Sequence, residues 1–145
     1  MQSKSVKLFC VNPLAKLPTK GTPGSAYWDL HAAERAVVDF VCVKLVSTGW
    51  RIEVPQGYFL DIRPRSGLAS YGVTVNNSPG TVDADYRGEL YVIIVNHGLM
   101  PYTVQVGDRI AQCALMPIVV TSFQQVLKEL SSTKRGTRGY GSTGR

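Results

Sequence analysis

Between Ser5 and Val11 polar and apolar positions alternate, with Val6, Leu8 and Cys10 on one side, which is the period of a half-buried strand. A loop must follow, because Pro13, Pro18, Gly21, Pro23 and Gly24 interrupt any regular element. Short β-type runs then recur at Ala36 to Leu45, Trp50 to Val54, Tyr58 to Ile62 and Val73 to Val75, with Pro55-Gln56-Gly57 predicting a tight turn between two of them. Glu89 to Asn96 (ELYVIIVN) is apolar or β-branched at nearly every position, the pattern of a strand covered on both faces in the middle of the core. Tyr102 to Val106 and Ile110 to Val120 continue the series. Only Ser66 to Ser70 and the segment holding Phe123, Val126, Leu127 and Leu130 have a helical look, and the second reads equally as an irregular strand. Many short strands with turn signals about every 8 to 12 residues predict an all-β sandwich or barrel.

Length and composition narrow this further. A chain of 145 residues, 44% hydrophobic and 18% charged, suits one compact domain over residues 1–130 followed by a Gly-rich tail over 131–145. The longest apolar stretches, such as Ala114 to Val120, are far shorter than the ~20 residues that cross a bilayer, and no signal-like core follows Met1. The expected location is therefore the cytoplasm, or the nucleus by size, without secretion or a membrane partner. Cys10, Cys42 and Cys113 form no CxxC pair, which argues against zinc and disulfides; each lies in an apolar run, predicting three buried thiols. The formal charge of +6 points to an anionic partner, and Lys134, Arg135, Arg138 and Arg145 concentrate it in the tail.

Five segments carry candidate chemistry. Asp29 stands between aromatic and aliphatic residues in Gly24 to Leu30, so a buried carboxylate there needs a cation or donor beside it. Arg63-Pro64-Arg65-Ser66-Gly67-Leu68-Ala69 puts cations and a hydroxyl at a helix start, suited to phosphate; Ser66 as a plain N-cap is the bland alternative. Asn77 to Gly88 reads as a polar hairpin in which Asp83 and Asp85 precede Tyr86 and Arg87. An acid there can hold a water and take its proton, or simply make a solvated turn with an Asp85–Arg87 pair. Gly107 to Gln112 reads as a turn entering a strand, where Asp108 and Arg109 can cap and pair; Gln112, beside Ile110 on a regular strand, needs a partner. Arg135 to Gly144 offers a guanidinium, hydroxyls and one aromatic among glycines, but no Walker-type lysine.

These segments, in this order and spacing, resemble the five motifs of the homotrimeric dUTP pyrophosphatases. The strongest matches are PRSGLA at Pro64 to Ala69, VDADYRG at Val82 to Gly88, GDRIAQ at Gly107 to Gln112 and RGxxGYGSTG at Arg135 to Gly144. The resemblance implies a jelly-roll-like β-barrel homotrimer with exchanged C-terminal arms, hydrolysing dUTP to dUMP and pyrophosphate with Mg²⁺. Such an activity limits uracil in DNA and supplies dUMP for thymidylate synthesis. It implies that Asp83 orients the attacking water, that Asp29 holds metal-bound waters, and that Arg65, Ser66, Gly67 and Gln112 contact the phosphates. Asn77, Gly80 and Val82 would read the uracil edge and Tyr86 would pack on the deoxyribose. Arg135, Tyr140, Gly141, Ser142 and Thr143 would close over a neighbouring subunit's site. Three departures stand out: Tyr27-Trp28 where the pattern usually has Gly-Tyr or Gly-Leu, Arg138 in place of a common tail glycine, and Pro79 inside the uracil segment. Deamination of dCTP with Glu89, a non-catalytic interaction role, and nucleic-acid binding through the basic tail are the competing readings; dUTP hydrolysis itself requires no nucleic acid.

Overall fold

In the computed structural model of the chain, which describes residues 4–139, the alternating N-terminal run forms β1 (Lys7–Cys10). It lies antiparallel on β4 (Cys42–Glu53), with Leu8 opposite Ile52. The sequence divides β4 in two, but the strand runs through a register shift between Ser47 and Arg51 at Gly49, whose φ is 73°. A Cβ at Gly49 would meet that of Ala15 at 2.7 Å, so only glycine allows this bulge. The run from Ala36 to Leu45 is in turn broken into β3 (Ala36–Val38) and the start of β4 by a turn in which the Cys42 N–H donates to Asp39 O at 3.2 Å.

The turn predicted at Pro55 to Gly57 leads into β5 (Tyr58–Arg63), and α1 (Ser66–Ala69), β6 (Val73–Val75), β8 (Glu89–Asn96), β9 (Tyr102–Val104) and β10 (Arg109–Pro117) fall where the pattern places them. Two strands lie outside the predicted runs: β2 (Trp28–His31) and β7 (Gly80–Val82). The strands assemble in the orders β1-β4-β8-β6 and β2-β10-β5-β7, with β3-β9 as a separate pair. The two four-stranded sheets pack face to face over one core, in which Val46, Ile52, Val92 and Ile94 from the first meet Leu30, Leu60, Ile62 and Cys113 from the second. The all-β class holds as expected, and among the described residues no single closed barrel forms.

Three expectations need correction. β8 is an interior strand whose Leu90, Val92 and Ile94 enter the core, but its other face is buried only at Val95, and Tyr91 there is 42% exposed within one chain. Only Cys113 is buried, where desolvation pushes its thiol up to about 12, while Cys10 and Cys42 are exposed. Cys10 ends an edge strand and Cys42 opens β4 outside the core, so an apolar run did not mean a covered one. After β10, residues 118–139 hold neither the helical turn nor the irregular strand, and Ile118, Val120, Phe123, Leu127 and Leu130 are exposed. A short helix without a surface to bury its apolar face is marginal, and this chain offers that segment none. Among the described residues no helix is long and apolar enough to cross a membrane.

Candidate active site

The first pocket lies at the edge of the second sheet. It is a cavity of about 380 Å³ lined by Tyr27, Asp29, Arg65, Ser66, Arg109 and Gln112, with Gly67 at its rim. The register of β2, β10 and β5 places Asp29, Gln112 and Arg63 in one cross-strand line. A bulge between Arg109 and Ala111 resets the alternation of β10, so that Ala111 and Cys113 enter the core and Gln112 does not share their face. Gln112 finds its partner in Pro64 O, to which its Nε2 donates at 2.8 Å.

Asp29 has the cationic neighbour its surroundings demand. Arg65 Nε donates to Oδ1 at 2.7 Å, and Arg109 Nη1 lies 3.6 Å from Oδ2. The carboxylate side chain is 13% exposed, so this pair is held more firmly than a surface ion pair, while Oδ2 keeps capacity to accept from water. The cap reading of Ser66 fails: the N-cap residue of α1 is Arg65, no side chain caps the helix, and the exposed Ser66 lines the pocket instead. Asp108 does cap its turn, its Oδ2 accepting from Gln105 N at 2.8 Å, whereas Arg109 pairs with Asp29.

Behind this pocket stands a group that the sequence reading overlooked. Asp61 on β5 is 3% exposed, and its Oδ2 accepts from both Tyr27 Oη and Arg63 Nε at 2.8 Å. The hydrogen bond to Asp61 raises the Tyr27 pKa, and the same carboxylate raises that of Arg63. Asp61 and Arg63, two apart in an otherwise apolar strand, were the visible sign of a polar outer face. Trp28, the other departure, is half exposed with Lys20 Nζ 5.3 Å above its ring.

A second cavity, of about 260 Å³, is lined by Asn77, Gly80, Val82, Asp83, Tyr86 and Glu89. The segment is not the paired hairpin expected of it. β6 belongs to the first sheet and β7 pairs with β5 in the second, so residues 76–88 pass from one sheet to the other and back. Gly80 is buried, and a Cβ there would lie 3.3 Å from both Ile62 Cβ and Asn77 Nδ2, which brings bare backbone to the pocket wall. The Tyr86 ring folds over Gly88 and its hydroxyl donates to Glu89 O at 2.8 Å. Asp83 is exposed, with Tyr86 N donating to its carbonyl at 3.2 Å; Asp85 makes no ion pair with Arg87, whose Nη1 goes to Ala84 O and Tyr86 O. Both Glu89 oxygens accept structural hydrogen bonds, from Ser47 Oγ and from Tyr91 Oη.

The two cavities share no lining residue, and sheet order explains why. Asp29 lies on β2 and Asp83 follows β7, the opposite edges of one four-stranded sheet. Three strand spacings separate those edges, about 14 Å, and the three-residue offset between Arg63 and Leu60 along β5 adds about 10 Å in the strand direction. In the tail, Arg135 Nε donates to Arg138 O and Arg138 Nε to Arg135 O, each at 3.0 Å. Tyr140, Gly141, Ser142 and Thr143 lie outside the described residues.

Comparison with known proteins adds an independent line. A family model described as dUTPase matches residues 14–144. A deoxyuridine 5'-triphosphate nucleotidohydrolase of Ehrlichia canis (strain Jake) is 47% identical over 133 residues, covering 88% of this chain and 86% of its own. That of Nautilia profundicola is 42% identical over 141 residues, covering 97% and 99%. The solved structure of the Staphylococcus bacteriophage 80alpha dUTPase with dUPNHPP shares the fold at a TM-score of 0.89 and 24% identity, over 99% of this chain and all of that one. With a motif set, a β-sandwich and relatives of this similarity in agreement, the chain belongs to the dUTPase family.

Proposed function

We propose that the protein is a dUTP diphosphatase whose active sites form where the two cavities of neighbouring copies meet in a homotrimer. dUTP hydrolysis itself follows from the family and from relatives named for it. The observation that carries the shared site is the separation of Asp29 from Asp83 across the second sheet. Groups acting on one in-line displacement must lie ~3–3.5 Å from the atoms they act on, which a gap of this size forbids within one chain. A neighbouring copy removes the gap by presenting its base-side cavity to this phosphate-side one. The exposed apolar side chains of residues 118–130, together with Val43, Leu45 and Tyr91, supply the surface such an assembly needs.

In this reading Asn77 and the backbone at Gly80 and Val82 recognise the uracil edge, with Tyr86 fixed over Gly88 as a platform for the deoxyribose. Buried donors matched to uracil are left unpaired by cytosine, a mismatch worth ~10⁴ to 10⁵ in kcat/KM. Asp83 accepts a proton from a water that attacks the α-phosphorus. As the new P–O bond forms, the bond to the bridging oxygen breaks and its electron pair leaves with pyrophosphate. Arg65, Ser66, Gly67 and Gln112 hold the phosphates, Arg109 adds a further cation beside Asp29, and the tail from Arg135 to Thr143 closes the site.

The residues present fit Mg²⁺ in one specific manner. Among the described residues no three His, Cys, Asp or Glu side chains gather to cage a metal, and Asp29 is the one carboxylate lining the phosphate pocket. Mg²⁺ is commonly held by one or two carboxylates together with waters and substrate phosphates, so Asp29 would hold it through water when it arrives with the nucleotide. There it would neutralise charge on the transferring phosphates. Glu89, whose oxygens are both engaged, gives the deaminase alternative no support. We place the enzyme in the cytoplasm, or the nucleus by size.

Pyrophosphate release measured with dUTP, dCTP, dTTP and UTP, with and without EDTA, tests this reading. Turnover of dUTP should exceed that of each other nucleotide by at least about a thousandfold and be lost on chelation. Comparable turnover of dCTP or UTP would refute it.

A further inference from the structure

Building on the phosphate-pocket reading, we propose that Tyr27 is a positioning residue for the triphosphate, which uses its hydrogen bond to Asp61 to fix the loop of residues 20–27 as a wall of that pocket. The loop supplies Gly21, Ser25, Ala26 and Tyr27 to the cavity. At its base, Thr19 and Asp29 exchange backbone hydrogen bonds of 2.7 and 3.1 Å, and at its tip Thr22 and Ser25 bond only to each other. Among the described residues, Tyr27 Oη to Asp61 Oδ2 is the one side-chain hydrogen bond from residues 20–27 to a strand.

The anchor is suited to the task. Asp61 is buried on the outer face of β5, and a carboxylate there is tolerable only when donors surround it. Arg63 Nε and Tyr27 Oη are those donors, both on Oδ2 at 2.8 Å. Letting Tyr27 rise would strip a buried charge of one of its two partners, so the carboxylate holds the ring down. Asp29 follows Tyr27 by two residues and carries the ion pair to Arg65, so a wall set by Tyr27 also sets where that pair stands relative to the phosphates. Such pre-organisation improves affinity by removing an ordering cost at binding.

The test compares ligands that differ in phosphate number. Tyr27→Phe, Asp61→Asn and the double variant, each as full chain, are titrated calorimetrically with a non-hydrolysable dUTP analogue and with dUMP, and their melting temperatures are recorded. For Tyr27→Phe, affinity for the triphosphate analogue should fall about tenfold while that for dUMP changes less than about twofold, and the double variant should match Tyr27→Phe in triphosphate affinity, because the Arg63 pair that Asp61→Asn also weakens does not line the pocket. If Asp61→Asn does not fold, the near-isosteric Tyr27→Phe carries the test alone. Unchanged affinity for the analogue, or an equal loss for both ligands, would overturn the proposal by leaving Tyr27 a structural residue only. A wild-type protein that fails to bind the analogue would instead count against the functional reading on which the inference rests.

Discussion

Replacing Asp83 by Asn is expected to lower kcat by at least about a hundredfold while the fold and the affinity for a dUTP analogue stay close to wild type. Asp83 is exposed in one chain and among the described residues no ion pair involves it, so the amide removes a proton acceptor without uncovering a buried partner. The amide also keeps the size of the carboxylate, so the turn closed by Tyr86 N on the Asp83 carbonyl should persist. Single-turnover hydrolysis of dUTP, paired with calorimetric titration of the analogue, separates the two quantities. Near-wild-type kcat would remove Asp83 from the chemistry.

Asp29→Asn should lower kcat/KM by about a hundredfold through a different route, because misplacing reacting groups by ~1 Å can cost that much. The asparagine oxygen can still accept from Arg65 Nε, but the negative charge between Arg65 and Arg109 is gone, and with it the charge that attracts Mg²⁺. The Mg²⁺ concentration giving half-maximal rate should therefore rise, whereas in Asp83→Asn it should not. A Mg²⁺ titration of both variants distinguishes them, and an unshifted midpoint in Asp29→Asn would assign that residue to the arginines alone.

Much of this was legible in the chain. Alternation and β-branched content located most of the strands, and the isolation of Asp29 among apolar neighbours correctly demanded a cation, which Arg65 supplies. The strands that escaped notice are short and abnormal in pattern: β2 emerges directly from a Pro- and Gly-rich loop, and β7 begins on a glycine. Periodicity reports which side a residue takes, not which strand lies beside it. The separation of the two cavities depends on β10 and β5 standing between β2 and β7, and those pairings join residues far apart in sequence. Tyr27 and Asp61, 34 residues apart, escaped for the same reason. Likewise, apolar neighbours do not by themselves cover a side chain, and Cys10 and Cys42 are exposed where Cys113 is buried.

Mixing the two inactive variants tests the shared site most directly. When Asp83→Asn and Asp29→Asn chains are unfolded together and refolded as mixed trimers, a site built across a subunit boundary can pair the intact Asp29 of one chain with the intact Asp83 of another. Random assembly should then restore about a quarter of wild-type dUTP turnover, since each site draws two independent contributions. Activity that remains at the level of the separate variants, in trimers shown by mass to contain both chains, would contradict the account.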